Sequence, residues 1–255
     1  MAGLLRIDGF EPDKYGTNWL KLYRGSVVNL DGTEEIEWPQ AIDIDMTQVG
    51  WNGRDHAGPI VEGAFYAPYL IKNTVTGELG AVLSRSRFYV DNVIPESVIL
   101  PPNCVNFRKK RFGFVYKAAW GGIPDFHECS GHVNLTWEES PSWQVRNAAH
   151  PQGRWNTGGA WQAISLAGIV PDNARLAKVK TKLFVGTGAG SAYIRHRGLP
   201  HNYGMFCGSR SPADTDTPAH YHEIRPDSSM MIDVRTLGDA WLEVYVPGYV
   251  MTEKA

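Results

Sequence analysis

Glycine and proline interrupt this chain at roughly one position in six, with 27 and 16 among its 255 residues. Proline has no amide proton to give a helix interior and glycine costs backbone entropy there, so little sequence is left for long helices. Between the breaks, apolar and polar residues alternate with the period of a strand. Trp19, Lys21 and Tyr23 fall on one face and Leu20 and Leu22 on the other, before Gly25 ends the run. Asp31-Gly32 is a hairpin-type turn between Val27-Val28 and Ile36-Trp38, and Ile42 to Met46 alternates apolar with acidic residues. Phe65 to Lys72 and Glu78 to Ser84 flank the turn sequence Asn73 to Gly77, and Asn106 to Tyr116 follows the turn Pro101-Pro102-Asn103. Leu176 to Val185 puts Ala177, Val179, Thr181 and Leu183 on one side and three lysines on the other. Ala192 to Arg197, Met230 to Val234 and Ala240 to Val246 are further strands. Many short strands at regular spacing predict an all-β protein, an antiparallel β-sandwich of jelly-roll type with few or no helices.

Charge narrows what such a fold can bind. Lysine plus arginine number 25 against 27 aspartates and glutamates, so no basic field steers nucleic acid to the surface. The longest apolar runs, such as Ala163 to Val170, are too short to span a bilayer, and the first residues lack a signal-peptide pattern. The expectation is a protein made in the cytoplasm, with no nucleic-acid partner and no membrane insertion. Cys104, Cys129 and Cys207 are widely spaced and odd in number, which fits buried free thiols rather than a disulfide framework or a zinc pair.

Several groupings have the residue types that chemistry needs. His220 and His222 lie on one face of an extended strand and could share an ion, but a cupin-like site would want another histidine on a later strand, and none follows; no metal and no cofactor is assigned. His127, Cys129 and His132 cluster without a second cysteine pair, which favours a structural role. Gly186 to Gly190 follows a strand as a phosphate loop would, but another strand comes next instead of a helix, so a hairpin loop is expected. Glu138-Glu139 and the pair Asp43 and Asp45 could supply two carboxylates for glycoside hydrolysis, although carboxylates this common are usually solvated. No catalytic residue is assigned. Trp137, Trp143, Trp155 and Trp161 stand in loop-rich sequence near Asn147, Arg154 and Asn156. Aromatic faces beside amides and guanidinium groups stack and hydrogen-bond sugars, so Trp137, Trp143, Arg154, Trp155, Asn156 and Trp161 are the candidate glycan-binding set, with core or subunit-interface packing as the competing role.

The stretch from Gly50 to Phe126 carries an ordered series of short motifs. Gly50-Trp51-Asn52-Gly53-Arg54-Asp55 with Gly58 leads to Phe65-Tyr66 and Tyr69-Leu70-Ile71, then to Thr76-Gly77 and Val82 to Ser86. Leu100-Pro101-Pro102 and Phe107 to Val115 follow, with Arg108 and Arg111-Phe112-Gly113 inside the last. In this order the motifs resemble a β-rich domain of bacteriophage tail-fibre, head-fibre and minor structural proteins, with extra residues here between Ser86 and Pro101. The resemblance covers about a third of the chain closely. It implies a non-enzymatic, usually homo-oligomeric virion component. The residue pattern itself places 1–14 as an arm and 15–255 as the β-sandwich, which could divide into two subdomains near 127–135. A homotrimer is the expected assembly, or a pentamer at a capsid vertex. The implied partners are its own copies, other capsid, tail or fibre proteins, and a host-surface polysaccharide. The alternatives are a purely architectural adaptor between capsid or tail and a distal fibre, and a capsule-degrading glycoside hydrolase.

Overall fold

The structure, a computed structural model, describes residues 7–9, 12–29, 33–61, 63–85, 98–109, 114–115, 122–129, 132–135, 144–150, 152–171, 174–199, 204–211 and 219–251. All regular elements among them are strands, as the interrupted sequence predicts, and the sheets are antiparallel apart from one two-residue pairing. The chain divides into two compact units, Met1–Val133 with Met251–Ala255, and Asn134–Val250.

In the first unit the strands are β1 (Ile7–Gly9), β2 (Pro12–Gly16), β3 (Trp19–Leu22), β4 (Gly25–Val28), β5 (Glu35–Trp38) and β6 (Ile42–Asp45). There follow β7 (Gly53–Arg54), β8 (Phe65–Asn73), β9 (Leu79–Ser84), β10 (Cys104–Lys109), β11 (Phe114–Val115) and β12 (Phe126–Cys129). They form sheets in the orders β1-β4-β5, β2-β3-β6 and β10-β8-β9-β7, with β11 also on β8. The predicted parity of β3 holds: Leu20 and Leu22 are fully buried and Trp19 is exposed. The β8-β9 hairpin forms with its expected turn chemistry, since Asn73 Oδ1 accepts from the Val75 and Thr76 amides and Gly77 takes a positive φ of 76°. Of residues 1–14, which the sequence places in an arm, 7–9 form β1, paired with β4, and 12–14 belong to β2, paired with β3. Asn106 to Tyr116, read as one strand, contains the separate strands β10 and β11.

The strand β13 (His132–Leu135) crosses the division between the units. The second unit then contains β14 (Gln162–Ser165), β15 (Ala174–His196), β16 (Met205–Arg210), β17 (Ala219–Ile224) and β18 (Met231–Met251). β15 lies between β18 and β16, with β14 paired to β18 and β17 to β15. Two long strands thus replace four short ones. The expected hairpin loop at Gly186 to Gly190 is instead the middle of β15, and Met230 to Val234 and Ala240 to Val246 belong to one strand, β18.

β15 is sharply folded over. β17 pairs with its residues 177–182 and β16 with its residues 190–194. Thr181, opposite His220, and Tyr193, opposite Phe206, would stand about 40 Å apart on a straight strand. The Phe206 and His220 rings are 6.3 Å apart. The glycines permit the bend because a Cβ on Gly190 would sit 2.5 Å from the Ala240 Cβ and 2.8 Å from the Leu237 carbonyl oxygen, and one on Gly186 would sit 2.5 Å from Asp239 Oδ2. Asp239 Oδ2 accepts hydrogen bonds from the Thr187 and Gly188 amides at 2.6 and 3.0 Å and from the Thr187 hydroxyl. Chiefly the Gly188 amide holds this carboxyl below its ordinary pKa. Burial also changes parity across the bend, from Ala177, Val179, Thr181 and Leu183 to Ala192 and Ile194.

Replacing Gly190 with alanine is expected to destabilise the fold by about 1–3 kcal/mol through overpacking, read as a lowered urea midpoint with unchanged slope. The Asp239 clamp stabilises above the ordinary carboxyl pKa of 3.8 and is lost as the pH falls through the depressed folded value. Acid titration of thermal stability should therefore lose a component below that pH in the wild type that is missing in Asp239→Asn.

Candidate functional site

The folded strand β15 brings the edge strands β16 and β17 side by side, and aromatic rings line up across them. Tyr193 on β15 and Phe206 on β16, cross-strand partners, have ring centroids 5.6 Å apart. Phe206 meets His220 on β17 edge-on at 6.3 Å, and His220 stacks on His222 at 6.4 Å with an interplanar angle of 17°. These are ordinary spacings for attractive ring pairs. The rings come from rigid strands, and the row remains accessible: Phe206 is 48% exposed, and Tyr193, His220 and His222 are half-buried. Tyr221, of opposite parity on β17, is also exposed and covers the otherwise buried Lys180, whose Nζ lies 5.0 Å from the ring centroid.

Cys207 closes the inner end of the row. Its Sγ is 3.5 Å from His222 Nε2, and burial pushes the thiol pKa up to about 12, against a lowering by the hydrogen bond with Thr181. The thiol is protonated at neutral pH, so this contact is not an activated cysteine-histidine pair. Burial, and after it the charge of His220, lowers the His222 pKa and favours its neutral ring. Among the described residues no group of three or more His, Cys, Asp or Glu side chains is arranged to hold a metal ion.

The tryptophan-rich segment divides differently from the sequence expectation. Trp155 is a core residue, bridged to Leu242 and donating its Nε1 proton to the Val145 carbonyl at 2.7 Å. Arg154 is taken up by an ion pair with Glu243 at 2.9 Å and by the Phe184 ring, 3.6 Å below its guanidinium carbon. In the structure Trp155 is thus buried in the core, and Arg154 is half-buried between Glu243 and Phe184. Their neighbour β18 is continuously buried from Leu242 onward, and that strand captures the segment through backbone hydrogen bonds. Asn156 is exposed, with Oδ1 accepting from the Gly158 amide in a turn. Trp161 is half-buried, with the Arg195 and Arg235 guanidinium carbons 4.1 and 5.9 Å from its ring, and Arg195 is in turn bonded to Asp233 at 3.0 Å. Trp137 and Trp143 lie outside the described residues, as do Glu138 and Glu139.

The two members of the other carboxylate pair have different partners. Asp43 faces Lys21 across β3 and β6 at 3.4 Å, whereas Asp45 caps a turn by accepting from the Thr47 amide and hydroxyl. Of the aromatic row, the sequence reading had singled out only His220 and His222. Tyr193 and Phe206 were missed because they become neighbours through a cross-strand register that alternation within a single strand does not specify.

Two outcomes follow. Trp155→Phe removes the Nε1 donor and leaves the buried Val145 carbonyl short of a partner, for an expected loss of about 1–3 kcal/mol in chemical denaturation, with the aromatic row unaffected. Because the folded His222 pKa is depressed, its stabilising contribution is complete above the ordinary value of 6.5 and is lost as the pH falls toward the folded value. The drop in melting temperature between pH 8 and pH 5 should be smaller in His222→Gln than in the wild type. No protein-family model matches the chain, and no curated protein matches it either.

Proposed function

We propose that this chain is a β-rich structural subunit of a phage or phage-like particle, and that its second unit contacts host-surface polysaccharide. The observation that carries the reading is the row Tyr193, Phe206, His220 and His222, a solvent-accessible aromatic surface on edge strands. Sugar rings present apolar C–H faces ringed by hydroxyls. A row of ring faces and edges with imidazole nitrogens among them offers both stacking and hydrogen bonds, without a reactive group. The fibre-protein resemblance of residues 50–126 supports placing the chain on a virion. Modest affinity at each site suffices there, because copies in a homotrimer or on one particle multiply avidity.

The reading is tested with the full-length protein on a glycan array, with particles lacking the protein as an adsorption assay alongside. Array binding weakened about three- to tenfold by Phe206→Ala is the expected result, matching the worth of one aromatic contact, together with slower adsorption of the depleted particles. Normal adsorption and no glycan binding would instead favour the adaptor role, and oligosaccharide released from capsule would favour the hydrolase.

A further inference from the structure

Two of the four rings in the aromatic row are imidazoles, so the row gains charge as the pH falls. Its surroundings leave that charge unsupported. The cross-strand partners of His222 and His220 are Val179 and Thr181, both buried and neither ionisable. β16 contributes Phe206 and the protonated Cys207 thiol, whose Sγ lies 3.5 Å from His222 Nε2, and sulfur is a weak acceptor for the proton that an imidazolium carries there. On β17 itself Tyr221 and Glu223 have the opposite parity, and Glu223 is the cross-strand partner of Lys178 on that other face. Arg195, two residues beyond Tyr193, is bonded to Asp233 at 3.0 Å. Among the described residues, then, the stacked pair His220 and His222 faces no carboxylate, and a charge on one ring repels a charge on the other.

A ligand stacked on these rings displaces the water that would solvate an imidazolium. An uncharged sugar brings no counter-ion in exchange, so it binds the neutral rings more tightly than the charged ones, and by linkage the proton and the sugar compete. A sugar bearing a carboxylate would act in the opposite sense and draw protons onto the pair. None of the four members of the row is a fixed cation that would hold such an anion at neutral pH. We infer that the row takes an uncharged stretch of polysaccharide and releases it when His222 is protonated. The inference rests on the glycan-contact reading above and narrows it to a ligand class with a pH dependence. Burial keeps His222 neutral to a pH below its ordinary value of 6.5, and a bound sugar extends that range downward. Affinity is therefore full at pH 8 and falls as the pH drops through the folded value, by at most about tenfold per pH unit for one proton.

The full-length protein on one array of uncharged and uronic-acid oligosaccharides, read at pH 8 and at pH 5, tests it. The expected result is binding to uncharged glycans at pH 8 that weakens about threefold or more at pH 5, with the weakening reduced in His222→Gln. For a glycan bound at pH 8, proton NMR titration of the imidazole rings should show the His222 midpoint moving to lower pH when that glycan is added. This readout needs no variant, and a histidine with a purely structural role would not give it. Melting curves at both pH values establish that each protein is folded. Uncharged-glycan binding that is equal at the two pH values, a weakening undiminished in folded His222→Gln, or a His222 midpoint unmoved by the glycan overturns the inference and leaves the aromatic-row reading in place. Preferential binding of uronic acids, strengthened at pH 5, does the same. The absence of binding to every array glycan at pH 8 removes the reading and the inference together.

Discussion

The second unit depends on a carboxylate set against a glycine-rich strand. Asp239 reaches the amides of Thr187 and Gly188 because Gly186, Gly188 and Gly190 carry no Cβ to hold the two long strands apart. Amides inside a strand normally have partners in the ladder, and where the strand folds over some of them need another acceptor. An ionised carboxylate supplies one that is stronger than a neutral carbonyl. The bend therefore keeps its backbone groups satisfied while turning through an angle that a regular ladder does not permit.

Everything of functional interest in that unit lies downstream of the fold-over. β16 and β17 occupy separate stretches of one strand, and only the bend makes them neighbours. Tyr193, Phe206, His220 and His222 become a row, and Cys207 is sealed beneath it. The side chains are carried by strands rather than by long loops, which under the proposed glycan contact lowers the conformational entropy lost on binding. The first unit follows simpler rules, with small sheets whose buried parity comes directly from alternation, as in β3, or from a continuous apolar run, as in the fully buried β9.

Much of this fold was legible in the sequence. Alternation identified the buried faces of β3 and of the first half of β15, and turn residues located the β8-β9 hairpin, because those features depend on neighbours a few residues apart. What the sequence concealed has one physical origin. A glycine run reads as a loop when no partner is in view, but with Asp239 some 50 residues away it becomes a strand interior. Trp155 was illegible for a related reason: an indole in turn-rich sequence looks exposed until a strand such as β18 takes its flanking backbone. The candidate site was legible in part, through the His220 and His222 parity, whereas Tyr193 and Phe206 needed the register.

The claim that the rest of the account requires is that β15 folds over and sets β16 against β17. Nuclear Overhauser contacts between aromatic ring protons test it directly, with the Tyr193–Phe206 contact, which any β15-β16 pairing produces, as the internal reference. Cross-peaks linking Phe206 to His220 in addition to that reference are the expected result. A spectrum with the Tyr193–Phe206 contact present and no contact from Phe206 to His220 would mean that β15 runs straight, and it would contradict the aromatic row.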